Sequence, residues 1–109
     1  MVKQLTDQDF AEFLADGFYA VVGFYHPEAA NKDEMMDVLG QFDGVHASAS
    51  VGVLDITGST VADDYGVDED ISPVIVVFKQ QNPIKVMTDF DLDELNSTIA
   101  PPGKNITLQ

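Results

Sequence analysis

The chain has 109 residues, which suits one domain with a single core and is too short for two. It holds 19 acidic residues against five lysines and no arginine, a formal net charge of −14. Nucleic acids and anionic membranes bind basic surfaces, so neither is expected as a partner. No cysteine is present, which excludes thiol chemistry, disulfides and cysteine-ligated zinc.

The termini and the charge bear on location and surroundings. The start, MVKQLTDQDF, lacks the charged and apolar regions of a signal peptide, and no apolar run approaches the length of a membrane helix. A complete chain would thus be cytoplasmic, whereas removal of a signal would make it lumenal or secreted. An aspartate-rich, lysine-poor surface suits high salt or weak binding of hard cations, and it also serves solubility alone. Residues 1–100 are predicted to form the domain, and 101–109 a C-terminal tail.

The first predicted elements are an edge strand and an amphipathic helix. Val2–Leu5 is the strand, and Thr6 is expected to cap a helix over Asp7–Asp16, with Asp9 as the capping-box acid. Gly17 follows as a stop signal. The apolar residues of the helix recur at the spacing of one buried face: Phe10, Phe13 and Leu14.

A strand buried on both faces comes next, because FYAVVGFYH is too continuously apolar to alternate with water. A second amphipathic helix is predicted from Ala29 or Asn31 to Phe42, ending near Gly44, with one methionine of the Met35–Met36 pair in the core. The segment VHASASVGVLDIT, rich in small and β-branched residues, is predicted to be a third strand.

A short helix in STVADDYGV is expected to be capped by Ser59 or Thr60 and closed by Gly66. A β-hairpin follows, with its first strand, turn and second strand at Val74–Phe78, Gln80–Pro83 and Ile84–Thr88. Asp91 then caps a last helix that carries Leu92, Leu95 and Ile99. The order β-α-β-α-β-α-β-β-α predicts an α/β fold with a central mixed sheet and helices on both faces.

Three segments in this order resemble the thioredoxin and protein disulfide isomerase family, over nearly the whole chain. LTDQDFAEFL is similar to the opening helix of those domains, and VVGFYHPEAANK to the strand that ends in Phe-Tyr-Ala-Pro-Trp-Cys-Gly-His-Cys-Lys. YGVDEDISPVIVVFK resembles the segment that contains the family's cis-proline. The resemblance therefore implies a thioredoxin-like fold.

The family's redox residues are missing at the matching positions. The two cysteines fall on Ala29 and Lys32, the tryptophan on Glu28, and the buried acid on Gly23. A helix proline and a strand glycine of the family are also replaced, by Asp37 and Thr88. Pro27 and the cis-proline position, Pro73, are kept. Disulfide exchange needs an attacking thiolate and a resolving thiol, so the resemblance implies a redox-inactive domain that is not an enzyme and needs no cofactor.

In redox thioredoxins the loop before the cis-proline pairs with the backbone of a substrate protein, as an added strand would. The same groove is predicted here to bind a protein or an extended peptide. The residues expected to line it are Tyr25, His26, Pro27, Glu28, Ala29, Ala30, Asn31, Ile71, Ser72 and Pro73.

Two other functions remain open. Five carboxylates gather around one turn and are candidates for weak binding of divalent cations: Asp63, Asp64, Asp68, Glu69 and Asp70. His26 and Glu28 could form an acid–base pair, for which the only nucleophile candidates are Ser48, Ser50 and Ser72. Without these functions, the acidic turn is simply a solvated loop, and His26 is a partly exposed histidine in a loop.

Overall fold

The structure is a computed structural model and is described for residues 2–45, 49–68, 70–71 and 73–99. The described elements are β1 Lys3–Leu5, α1 Phe10–Ala15, β2 Tyr19–Tyr25, α2 Lys32–Val45, β3 Ser50–Asp55, α3 Thr60–Asp64, β4 Val74–Lys79, β5 Asn82–Met87 and α4 Leu92–Thr98. Their order confirms the predicted one. The predicted tail, 101–109, lies outside the described residues. Within the described part of the chain, no helix has the length and apolar character to span a membrane.

The strands form one mixed sheet in the order β1-β3-β2-β4-β5. The strands β1, β3 and β2 are parallel, whereas β4 is antiparallel to both β2 and β5. The position of β2 in the middle explains its continuous apolar sequence: Val21 and Val22, which point to opposite faces, are both fully buried.

The helices cover the sheet from both sides, as predicted. On one face α1 and α3 pack on alternate strand residues, and their contribution to this core is Phe10, Phe13, Leu14 and Ala62. On the other face α2 supplies Met35, Val38, Leu39 and Phe42, and α4 supplies Leu95, followed by its C-cap residue Ile99. Met35 is fully buried whereas Met36 only packs at the margin, so the prediction of one core methionine is confirmed.

The start of the first helix differs from the prediction. The helix begins at Phe10, its N-cap is Asp9, and the three residues before Phe10 form a turn. The Asp9 carboxylate accepts the Thr6 N–H at 2.7 Å, so half of the expected capping box is present. The helix starts late because Asp7, its predicted first residue, is bound to another part of the chain.

Two further boundaries were predicted incorrectly. The second helix continues through Gly44 to Val45, so the third strand begins only at Ser50. The hairpin turn is Gln80–Gln81, both with left-handed backbone angles (φ 50 and 72), and Asn82 already belongs to β5. A two-residue turn of left-handed residues matches the twist of a hairpin, although glycine and asparagine are the usual residues there.

A carboxylate ties the β1–α1 turn to the start of α3. Asp7 accepts hydrogen bonds from the Ser59 hydroxyl and, at 2.8 Å, from the Thr60 N–H. Ser59 in turn caps α3 by accepting the Ala62 N–H at 3.0 Å, which confirms the predicted cap. The bond from Ser59 is the largest cause, and that from the Thr60 backbone the next, of the lowered pKa of Asp7.

We expect Asp7→Asn to lower the stability at neutral pH and to have less effect in acid. Because the pKa of Asp7 is lowered by folding, its contribution is complete above about pH 4, the ordinary aspartate value, and is lost as the pH falls through the lowered pKa. Urea unfolding from pH 7 to pH 2 measures this difference. Asp64→Asn removes an equal charge from α3, the helix whose start Asp7 contacts, and is the control. If Asp7→Asn lowered the free energy of unfolding by the same amount at every pH, the ionised Asp7 carboxylate would not be the source of the stability.

Candidate functional site

The segment between β2 and α2 is a compact turn. The Ala29 N–H donates to the His26 carbonyl at 2.9 Å, and the Glu28 N–H donates to Nδ1 of His26 at 3.2 Å. The Tyr25 hydroxyl, at the end of β2, donates to Oε1 of Gln4 at 3.3 Å. The first two contacts are local to the turn, whereas the third ties the end of β2 to Gln4 of β1. The turn covers residues 26–31, since β2 ends at Tyr25 and α2 begins only at Lys32.

The sheet register brings the start of β4 beside this junction. The last β2–β4 pair is Phe24 with Val74, and the strands are antiparallel, so Tyr25 and Pro73 continue past it side by side. Pro73 is buried, whereas Ile71 is 45% exposed. Ser72 and its peptide bond to the proline lie outside the described residues. The predicted groove segments thus meet at one edge of the sheet.

Most of the junction faces solvent. Tyr25, His26 and Ala29 are half-buried, and the remaining predicted groove residues of this segment are exposed: Pro27, Glu28, Ala30 and Asn31. Small and polar side chains therefore flank the exposed side of the turn. Backbone that is accessible in this way can take up an extended segment, or water in its absence.

Gly23, which matches the position of the family's buried acid, has core side chains packed closely against it. A Cβ at Gly23 would lie 2.7 Å from Cδ1 of Leu39 and 2.7 Å from Sδ of Met35. Both side chains are fully buried, so a carboxyl group would have neither room nor a polar partner. A redox site of the family's type would therefore lack its proton-handling group here as well as its two sulfur atoms.

A pocket of about 280 Å³ adjoins His26 on the side of α3. The other residues that line it are Ile56, Thr57, Gly58, Asp63, Val67 and Asp68. Sequence reasoning did not predict the contribution of the segment after β3. The parallel pairing of Tyr25 with Asp55 explains it, since carboxyl ends of adjacent parallel strands lie at the same edge.

One of the carboxylates predicted to bind cations, Asp68, accepts hydrogen bonds from the backbone of its own loop. Oδ1 of Asp68 accepts the N–H groups of Asp70 at 3.0 Å and Ile71 at 3.2 Å. Asp63 and Asp68 border the pocket beside His26, while Glu69 lies outside the described residues. In the part of the chain that is described, no three acidic or histidine side chains form a group that could hold a metal ion.

Of the candidate nucleophiles, Ser50 lies in the described part of the chain, and it is far from His26. Ser50 pairs with Ala20 at the start of β3, five residues before the level of Tyr25, which is about 17 Å along the strand. Ser48 and Ser72 lie outside the described residues. The arrangement around His26 therefore offers a local turn and a pocket of which Ser50 is not part.

Solved structures of thioredoxins resemble this chain. Mitochondrial thioredoxin 3 from Saccharomyces cerevisiae is 18% identical with a TM-score of 0.77, over 90% of this chain and 92% of that one. Thioredoxin f from spinach chloroplast is 16% identical with a TM-score of 0.80, over 90% and 83%. A mutant thioredoxin from Halobacterium salinarum is 17% identical with a TM-score of 0.77, over 91% and 93%. No protein-family model and no curated protein matches the chain.

The chain therefore has the thioredoxin fold, in agreement with the predicted fold class. It departs from the redox members in having no Cys-x-x-Cys motif, since it contains no cysteine. Disulfide exchange of the thioredoxin type requires two thiols and is excluded.

We expect Gly23→Ala to reduce the free energy of unfolding by about 1–3 kcal/mol, because the added methyl group overpacks Met35 and Leu39. Gly40→Ala is the matched control: nothing lies within 4 Å of its Cβ, and alanine in a helix interior should add roughly 0.5–1 kcal/mol. Urea unfolding of both variants measures the difference. Equal effects of the two substitutions would show that the space beside Gly23 is not closed.

Proposed function

We propose that this chain is a redox-inactive thioredoxin-fold module that binds an extended segment of another protein, and that it is not an enzyme. The observation that carries the proposal is the pairing of Phe24 with Val74, which sets the accessible β2–α2 junction beside Pro73 and the exposed Ile71. Redox relatives capture the substrate backbone at the corresponding loop, and loss of the sulfur atoms removes the chemistry without removing that edge.

The groove suits a segment that is partly apolar and not acidic. Ile71 offers a large aliphatic surface, and the exposed junction offers small side chains against which a backbone can lie. The net charge of −14 repels acidic peptides at low salt. Binding through main-chain hydrogen bonds and one or two side-chain contacts gives a modest affinity and broad sequence tolerance.

An amide-resolved NMR titration with extended, partly apolar peptides at fixed ionic strength tests the proposal. We expect shifts to cluster on the amides of Tyr25, His26, residues 28–31, Ile71 and Val74. Pro27 and Pro73 have no amide hydrogen and give no signal. Shifts spread evenly over the surface, or none at these residues, would refute binding at the groove.

Ala30→Arg is the variant that blocks the junction, because a long side chain replaces an exposed methyl group there. We expect this substitution to weaken binding of the peptide by about tenfold, as loss of one good contact does. Gly40→Arg adds the same side chain and charge to the exposed side of α2, two turns away, and should leave the affinity unchanged. A similar loss of affinity in both variants would show that the added charge, and not a blocked groove, weakens binding.

The second candidate is an acidic domain whose surface is adapted to salt or binds calcium. The observation in its favour is the ratio of 19 acidic to five basic residues, which makes the native state repel itself at low ionic strength. Screening shortens the range of this repulsion from about 30 Å at 0.01 M to about 3 Å at 1 M salt.

Under this second function, we expect raising NaCl from 0.01 to 1 M to increase the melting temperature by about 4–8 °C, which corresponds to roughly 1 kcal/mol for a domain of this size. Calcium chloride at matched ionic strength separates the two versions. An equal gain with both salts supports screening, and a further gain at low calcium concentration supports bound ions. No gain with either salt contradicts both.

A further inference from the structure

An apolar cleft lies on the α1/α3 side of the sheet, away from the β2–α2 junction. It has a volume of about 260 Å³ and separates the loop after α3 from the β4–β5 hairpin. Tyr65, Val67 and Ile71 line the loop side. Val76, Pro83 and Val86 line the hairpin side. We refer to it as the hairpin cleft.

The loop wall of the hairpin cleft is fixed in place. The Tyr65 ring packs on three phenylalanine rings of the core, with centroid distances of 5.8 Å to Phe10, 6.2 Å to Phe24 and 5.5 Å to Phe78. The tyrosine is nevertheless 38% exposed. One part of the ring is thus anchored and another remains open to solvent. A preformed apolar wall of this kind orders no side chain on binding and so loses little entropy.

The charges around the hairpin cleft are distributed unevenly. From Ile71 to Thr88 the sequence has no acidic residue, so the hairpin wall carries no negative charge. The two lysines of the hairpin are engaged elsewhere, Lys85 with Glu94 at 2.8 Å and Lys79 over the Phe18 ring at 5.5 Å. The loop on the other side of the cleft instead carries two exposed acidic residues, Asp68 and Asp70, which are next in sequence to the lining residues Val67 and Ile71. The helix α3 before it adds Asp63 and Asp64.

The size of the cleft favours a side chain over a small molecule or a second copy. Ligand pockets usually measure about 300–1,000 Å³, and this cleft is smaller. The exposed apolar side chains around it amount to an area on the order of a few hundred Å². A stable dimer buries about 800 Å² on each partner, and two copies that each carry a charge of −14 repel one another.

The edge of the sheet beside the cleft is protected against an added strand. Pro83 has no N–H to donate, and the β4–β5 pairing shifts register between Val77 and Phe78. Both are features with which natural edge strands resist pairing. A partner is therefore held by a side chain inserted into the cleft and not by its backbone along β5.

We propose that the hairpin cleft binds a basic segment of a partner protein, which inserts one large apolar side chain between Tyr65 and Val86. Neighbouring lysine or arginine residues of that segment face Asp68 and Asp70. The site is distinct from the peptide groove proposed above, although Ile71 and the neighbouring Val74 border both.

The probe is the blocked peptide acetyl-Lys-Gly-Leu-Gly-Lys-amide, titrated by amide-resolved NMR at 0.1 M NaCl. We expect shifts at Tyr65, Gly66, Val67, Val76 and Val86. Alanine in place of the leucine should weaken binding about tenfold or more, because burial of a leucine side chain contributes roughly 1.5–3 kcal/mol. Glutamates in place of the lysines should abolish it. Equal binding of the leucine and alanine peptides would overturn the proposal.

Val86→Lys tests the cleft in the protein, and Ile84→Lys is its matched control. Both add one positive charge to β5 at an exposed aliphatic residue (61% and 48% exposed), and lysine is well tolerated on edge strands. Val86→Lys should weaken the leucine peptide about tenfold, and Ile84→Lys about twofold at most, through screened charge alone. Val86→Thr, which keeps the shape without the charge, should also weaken it. Equal losses in the two lysine variants would overturn the proposal.

Ala30→Arg separates this site from the groove at the junction. The leucine peptide should bind that variant as it binds the unaltered chain, because Ala30 lies at the junction and does not line the cleft. Loss of binding in Ala30→Arg, with none in Val86→Lys, would overturn the present inference while supporting the groove.

Discussion

The burial of β2 on both faces is the constraint on which the rest of the structure depends. A strand with no solvated side needs a helical layer above and below it, and α1 with α3 and α2 with α4 supply these layers. One of its neighbours, β3, runs parallel to it, and the other, β4, runs antiparallel. The end of β2, the end of β3 and the start of β4 must therefore meet at one edge, where the chain has to turn into α2.

Features of the sequence that act locally were predictable. Ser59 and Asp91 cap their helices, and Gly66 adopts the left-handed conformation (φ 72) that closes α3. The predictions failed where a contact with a residue distant in the sequence sets the boundary of an element. Thr6 had the sequence of an N-cap, but Asp7 is held by Ser59, 52 residues away, and the helix starts later. The hairpin turn fell on Gln80–Gln81 because strand pairing outweighs the poor preference of glutamine for left-handed angles.

The candidate sites divide in the same way. The junction and Pro73 could be paired from sequence because both match one family pattern, and the strand register brings them together. The hairpin cleft could not be predicted, since its walls come from a loop and two strands and depend on where the helices leave the sheet uncovered. Alternation along β5 says that Val86 faces one side of the sheet. It does not say that Val86 lies beyond the part of this face on which α1 and α3 pack and is 61% exposed.

The packing at Gly23 makes a dithiol site of the thioredoxin type hard to build in this chain. Two cysteines at Ala29 and Lys32 would supply the sulfur atoms, yet a carboxyl group at Gly23 would still collide with Met35 and Leu39. The acid becomes acceptable only after the core is made smaller, and a smaller core without the acid contains a cavity. A substitution at Gly23 or in the core around it therefore costs stability before a complete dithiol site is assembled. The close packing of Met35 and Leu39 against Gly23 disfavours a carboxyl group at this place in the fold.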